Sequence, residues 1–196
     1  RSESAPASEE PVTGLPTPLD QVTIEVEPAA KSEAIDLTAA AQICADISRL
    51  ATAERLPDVL GRAASVLDAS GIVLWMSAGE ELFPVVAHGY DTGMMSRLGP
   101  IGRRADNATA LAWRTGQVRT VAGDGGSNGA IVAPMFAAER CAGVLAAEVR
   151  HAREQDPTAQ AVTSIFAAQL GAVIVPWPAP SVAAPPATDS LSSIAS

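Results

Sequence analysis

The chain has 196 residues, with 22 acidic against 13 basic side chains and a formal net charge of −9. Residues 1–36 hold eight acids and two bases and residues 37–175 thirteen acids and eleven bases, so the acidity belongs mainly to the N-terminal stretch. The nearly neutral remainder excludes the basic stripe that nucleic-acid binding requires, and two cysteines without CxxC spacing, Cys44 and Cys141, exclude a disulfide framework or thiolate cage.

Residues 1–35 are rich in Ser-Ala-Pro and Glu-Pro and lack sustained apolar periodicity. They are read as a disordered acidic linker, since they bury too little to offset the entropy of ordering. The domain is expected over 36–175. Its first helix is expected over 37–51, with Asp36 as N-cap and Leu37, Ala40, Cys44, Ile47 and Ala51 at spacings of three and four. A second helix should run over 57–69, with Pro57 in its first turn and Val59, Leu60, Ala63 and Leu67 on one face. Gly71 should break the pattern into a strand over 71–77. A turn and a return strand over 81–89 should follow, in which Pro84 points to an edge or a bulge.

Residues 90–105 read as irregular. Asp106 or Asn107 can cap a short helix that Gly116 ends. A strand over 117–123, a glycine-rich loop over 124–129 and two strands over 130–136 and 141–149 should follow. Both of those last strands are apolar at odd and even positions, so both should be covered on two faces. The last helix is expected over 157–175, burying Val162, Ile165, Phe166, Leu170 and Val173. Residues 176–196 are a Pro/Ala/Ser tract, read as a disordered tail. The order implies an α+β layer with an antiparallel sheet.

The stretch AIVAPMFAAERCAGVLAAEV resembles the closing hairpin of a GAF domain, with Pro134, then Gly143, Val144 and Leu145, then Glu148 three residues on. ALAWRTGQVRTV resembles that family's short helix ending in Thr-Gly, although Val118 stands where the family usually has Pro. SVLDASGIVLWMS and VVAHGYD resemble its first two strands. The resemblance covers nearly all of Leu37 to Val175. It implies a PAS-related antiparallel sheet of about six strands, N- and C-terminal helices on one face, and a loop-and-helix lid over a pocket on the other. It also implies that the terminal helices often pair across a dimer.

The chemistry-bearing residues narrow what such a pocket could do. His88 and His151 have no partner at ligand spacing, so neither a metal nor haem is expected. The resembled photosensors hold a bilin through a lid cysteine, and residues 90–130 contain none. The cyclic-nucleotide motif needs a lysine, and the only one, Lys31, lies in the linker. No GxSxG, HExxH or phosphate-loop pattern is present. Tyr90, Arg103, Arg104, Asp106, Asn107 and Trp113 fall in the lid segment. They are the candidate ligand contacts, two aromatics with convergent polar groups that could hold a small planar or anionic molecule. Against that stands an anchoring role for Trp113 and a solvated one for the arginines.

The expectation is a sensory module without catalysis or cofactor. It would bind a small molecule non-covalently, form a homodimer through the terminal helices and act on fused or partner signalling modules. A second reading is a scaffold whose pocket is filled by Trp75, Met76 and Met135. A third is a methionine sulfoxide reductase-like enzyme of the same family, for which Cys44 and Cys141 look too far apart. No run reaches the roughly 18 apolar residues of a membrane span and no signal peptide is visible. No membrane contact is expected of this segment, and the unpaired cysteines suit a cytoplasmic setting. The chain opens on Arg1, as a segment of a longer protein would.

Overall fold

Asp36 opens the first helix as expected, its carboxylate accepting from the backbone N–H of Thr38 at 2.9 Å and Ala39 at 3.0 Å. The computed structural model describes residues 34–124 and 126–174; the expected linker up to residue 33 and the tail 176–196 lie outside the described residues. Helix α1 spans Leu37–Ile47, and after a 3-10 turn at Ala53–Arg55 helix α2 spans Leu56–Leu67 with Pro57 in its first turn. Asp68, in left-handed conformation at φ 51°, ends α2 by itself. Strand β1 therefore begins at Ala69, ahead of the break expected at Gly71.

Strands β1 (Ala69–Ala78) and β2 (Glu81–His88) form a hairpin. Leu74 pairs with Val86 and Trp75 with Pro84, so Val85 is an extra residue in a bulge beside the proline. The stretch expected as irregular contains a short helix, α3 (Thr92–Met95), and a two-residue strand, β3 (Ile101–Gly102), which pairs with Glu81 and Leu82. Helix α4 (Ala108–Thr115) is capped by Asn107, which accepts from the Ala110 N–H at 2.8 Å, and is closed by Gly116 at φ 63°. Strands β4 (Arg119–Val121), β5 (Gly129–Ala137) and β6 (Arg140–Val149) follow, then a 3-10 turn at Arg153–Gln155 and helix α5 (Pro157–Ile174). The six strands lie in the order β3-β2-β1-β6-β5-β4, antiparallel at each pairing.

Alternation along the central strands divides the interior in two. Ile72, Leu74, Leu145, Ala147 and Val149 face α1, α2 and α5, whose Ile43, Leu60, Leu67, Phe166 and Leu170 fill the larger core. Val73, Trp75, Val132 and Val144 face the other way, toward Ala112 and Trp113 of α4. Met76 and Met135 join the helix-side core, so of the three bulky residues expected to fill a pocket only Trp75 lies on the lid face. A one-residue step along a strand reverses the face, which separates Met76 from Trp75.

The terminal helices differ from expectation in one useful respect. Ala40 and Ile47 of the expected dimer seam are buried and Cys44 is half-buried, all three packed into the chain's own core, while Leu37 is 60 % exposed. On α5 the buried arc runs through Ala159, Val162, Phe166, Leu170 and Ile174. Ile165 sits on the opposite arc and is 51 % exposed, contrary to the burial expected for it. The core side of α5 approaches β5 so closely that a Cβ on Gly171 would meet the Phe136 backbone. By length and composition α5 is also apolar enough to cross a membrane, but its buried arc is committed to the sheet.

Candidate ligand-binding face

The lid face has a dry half and a polar half. In the dry half, Trp113 is 3 % exposed and packs with Val73, Trp75, Leu82, Val132 and Val144. Its indole N–H donates to the Cys141 carbonyl at 3.3 Å, and the Arg103 guanidinium lies 4.8 Å from the ring centre on a cation–π contact. Arg114 holds the approach to this arginine in place, donating to the carbonyls of Arg103 and Ala105 at 2.8 and 3.1 Å. Both the polar handle and the ring of Trp113 are therefore already engaged within the chain.

In the polar half, Glu148 projects from β6 on the face opposite Ala147 and Val149. Its carboxylate accepts from the Tyr90 hydroxyl and from Asn128 Nδ2, each at 3.0 Å. Asn128 Nδ2 also donates to Ser70 Oγ at 2.9 Å, and that hydroxyl donates to the Glu148 backbone carbonyl at 3.2 Å. The Tyr90 ring occupies the space that a side chain at Gly71 would need. Burial first, and then the neighbouring Glu148 carboxylate, push the Tyr90 hydroxyl well above its ordinary pKa, so it remains a donor at any physiological pH. Around this network the floor is made of small, half-buried residues, Ala130 opposite Glu148 and Ala146 two residues along, with Val121 46 % exposed beside Ala130.

The six lid residues singled out from the sequence are thus not one constellation. Arg103 and Trp113 meet each other. Asn107 is used as a helix cap, and Arg104 and Asp106 are exposed on the surface turn before α4. Tyr90 belongs to the other half. The Trp113 indole is bonded at Cys141 and the Tyr90 hydroxyl at Glu148, seven residues apart on one strand, a span of roughly 20 Å at the rise of a β-strand. Glu148, Asn128, Ser70 and Gly71 complete the polar half and were not among those six. The signal for Glu148 lay in the alternation of β6, where an acid falls among residues that otherwise suit a buried face.

The remaining reactive groups do not converge. Cys44 packs against the helix-side core and Cys141 against the lid-side cluster, on opposite faces of the sheet. Burial raises both thiol pKa values above the ordinary range, which disfavours the thiolate. His151 Nδ1 lies 2.6 Å from Asp68, and His88 packs beside Gly61 of α2. Among the described residues no group of three or more His, Cys, Asp or Glu is placed to hold a metal.

Comparison with known proteins agrees with this architecture. The family model described as the GAF domain matches residues 52–174. The chain is similar to the GAF domain of a phosphoenolpyruvate-protein phosphotransferase from Acinetobacter, at a TM-score of 0.61 and 12 % identity over 71 % of this chain and 92 % of that one. It is similar to free methionine-R-sulfoxide reductase from Neisseria meningitidis, solved with its substrate, at a TM-score of 0.57 and 18 % identity over 73 % and 93 %. It is also similar to the second GAF domain of DevS from Mycobacterium smegmatis, at a TM-score of 0.50 and 27 % identity over 61 % and 89 %. No curated protein matches the chain.

Proposed function

The chain belongs to the GAF domain family, and from that premise we propose that it is a sensory module of a cytoplasmic signalling protein. It binds a small molecule reversibly on the polar half of the lid face. The observation that carries this reading is the Tyr90–Glu148–Asn128–Ser70 network. A half-buried carboxylate, held by two donors on a floor of alanines, is the kind of oriented polar group a small-molecule site uses. Each Glu148 oxygen keeps acceptor capacity after its one bond, so the network favours a ligand that presents N–H or O–H donors. The anionic ligand suited to Arg103 and Arg104 has less support, because Arg103 is already stacked on Trp113. A thermal-shift screen of small polar metabolites tests the reading: hits should be lost in Glu148→Gln and kept in Arg103→Ala.

The same module is proposed to dimerise through α5. No charged residue occurs between Pro157 and Ile174, and Ala161, Ile165, Ala168 and Ala172 recur on the exposed arc at spacings of four and three. That is the repeat of paired helices, and a solvent-facing arc without charge is unusual for a helix that stays single. The filled dry half of the lid face lends support to the scaffold reading, in which dimerisation is the whole function. The opposite-face placement of Cys44 and Cys141 speaks against sulfoxide reduction by a cysteine pair.

A further inference from the structure

The polar half of the lid face is tied to the start of α5 through one buried acid. Asn128, bonded to Glu148 and Ser70, is followed by Gly129, the first residue of β5. The Glu154 carboxylate rests directly on Gly129, where any side chain would collide with it. Glu154 is 2 % exposed. Its Oε1 accepts from the Gly123 N–H at a long 3.4 Å, and its Oε2 has no hydrogen-bond partner among the described residues. Its backbone carbonyl accepts from Gln160 Nε2, in α5, at 2.8 Å. The turn that carries it follows His151 and Ala152, both non-glycine residues at positive φ (54° and 55°).

We propose that Glu154 is the coupling residue that passes the state of the Glu148 network to the N-terminal turns of α5. A buried carboxylate with an unsatisfied oxygen is costly, so its position is sensitive to small movements of its seat. A ligand donor that takes the place of Asn128 on Glu148 Oε1 leaves Asn128 held by Ser70 alone, and Gly129 shifts beneath Glu154. Glu154 then gains room to satisfy Oε2, and the bond that its carbonyl makes to Gln160 moves with it. In this proposal Glu154 is the element whose position both the Glu148 network and the start of α5 bias. This rests on the reading of the lid face as the ligand site, but its test uses no ligand and therefore stands or falls separately from the metabolite screen.

The test is hydrogen–deuterium exchange on the full chain, comparing wild type with Glu148→Gln, Glu154→Gln and the double variant. Glu148→Gln should speed exchange several-fold both at the start of β5 and in the first two turns of α5, and leave α4 unchanged. In the Glu154→Gln background, Glu148→Gln should still act on β5 but add nothing in α5. If Glu154→Gln loses cooperative unfolding, Gln160→Leu replaces it, removing the bond to α5 while keeping the carboxylate, with the same expectation. An α5 unmoved by Glu148→Gln, an equal rise in α4 and α5, or an α5 effect that persists in the double variant would overturn the proposal.

Discussion

The Tyr90 hydroxyl donates to the Glu148 carboxylate at 3.0 Å across 58 residues of sequence, and so fixes the end of β2 against β6 on the lid face. The hydrogen bond is charge-assisted and half-buried, which places its worth at about 1.5–3 kcal/mol. Tyr90→Phe keeps the ring over Gly71 and removes only the bond. It should lower unfolding free energy in urea by about that amount and leave the denaturant slope unchanged. Gly71→Ala, by contrast, should displace the ring itself and alter the near-ultraviolet tyrosine signal.

Trp113 and Arg103 should part company on mutation. Trp113 is buried with its N–H bonded, so Trp113→Ala should cost about 3–5 kcal/mol and depress the melting temperature strongly. Arg103→Ala removes a half-exposed stacking partner and should cost no more than about 1 kcal/mol. Equal effects in calorimetry would show that the indole is not the anchor of the dry half.

Asp68 sets an acid limit. Burial pushes its carboxyl pKa up, but the His151 hydrogen bond and charge, with Arg150 at 3.4 Å, outweigh burial and hold it below the ordinary value. A depressed folded-state pKa gives stability that is complete above the unfolded value near 4 and is lost as pH falls through the folded value. Asp68→Asn suits the left-handed position at the end of α2. Relative to wild type it should be less stable at pH 7, by under about 1 kcal/mol for so exposed a network. The two proteins should converge below pH ~3. A constant gap from pH 7 to pH 2 would contradict the assignment.

Much of this was legible in the sequence. Asp36, Asn107 and Gly116 announced helix ends by chemistry that acts within four residues, and Pro84 marked the bulge because it lacks an N–H. What was not legible depends on distant residues. The strand β3 has two residues and exists only because Glu81 and Leu82 offer an edge. Ile165 reads as core by composition, and only the docking angle of α5 turns it outward. The lid candidates came from one segment of chain, whereas the groups gathered around Glu148 come from Tyr90, Ser70 of β1 and Asn128, the residue before β5. A linear pattern does not bring these together.

The outward turn of Ile165 has a direct consequence for association. Wild type should have a dimer mass by light scattering at micromolar concentration, and Ile165→Glu, which sets a charge in the middle of the uncharged arc, should have a monomer mass with little loss of stability. A monomeric wild type at high micromolar concentration would rule out the α5 interface. A dimer that survives Ile165→Glu would place the interface elsewhere.

The Glu148 end of the lid face is proposed to hold a reversible small-molecule ligand. Native mass spectrometry of purified protein, paired with the thermal-shift screen, tests it most directly. We expect a colourless protein, a bound or screened ligand that dissociates under mild activation without a covalent mass increment, and loss of that ligand in Glu148→Gln while the folded mass and oligomeric state are kept. A covalent adduct, or a ligand retained unchanged in both Glu148→Gln and Tyr90→Phe, would contradict it.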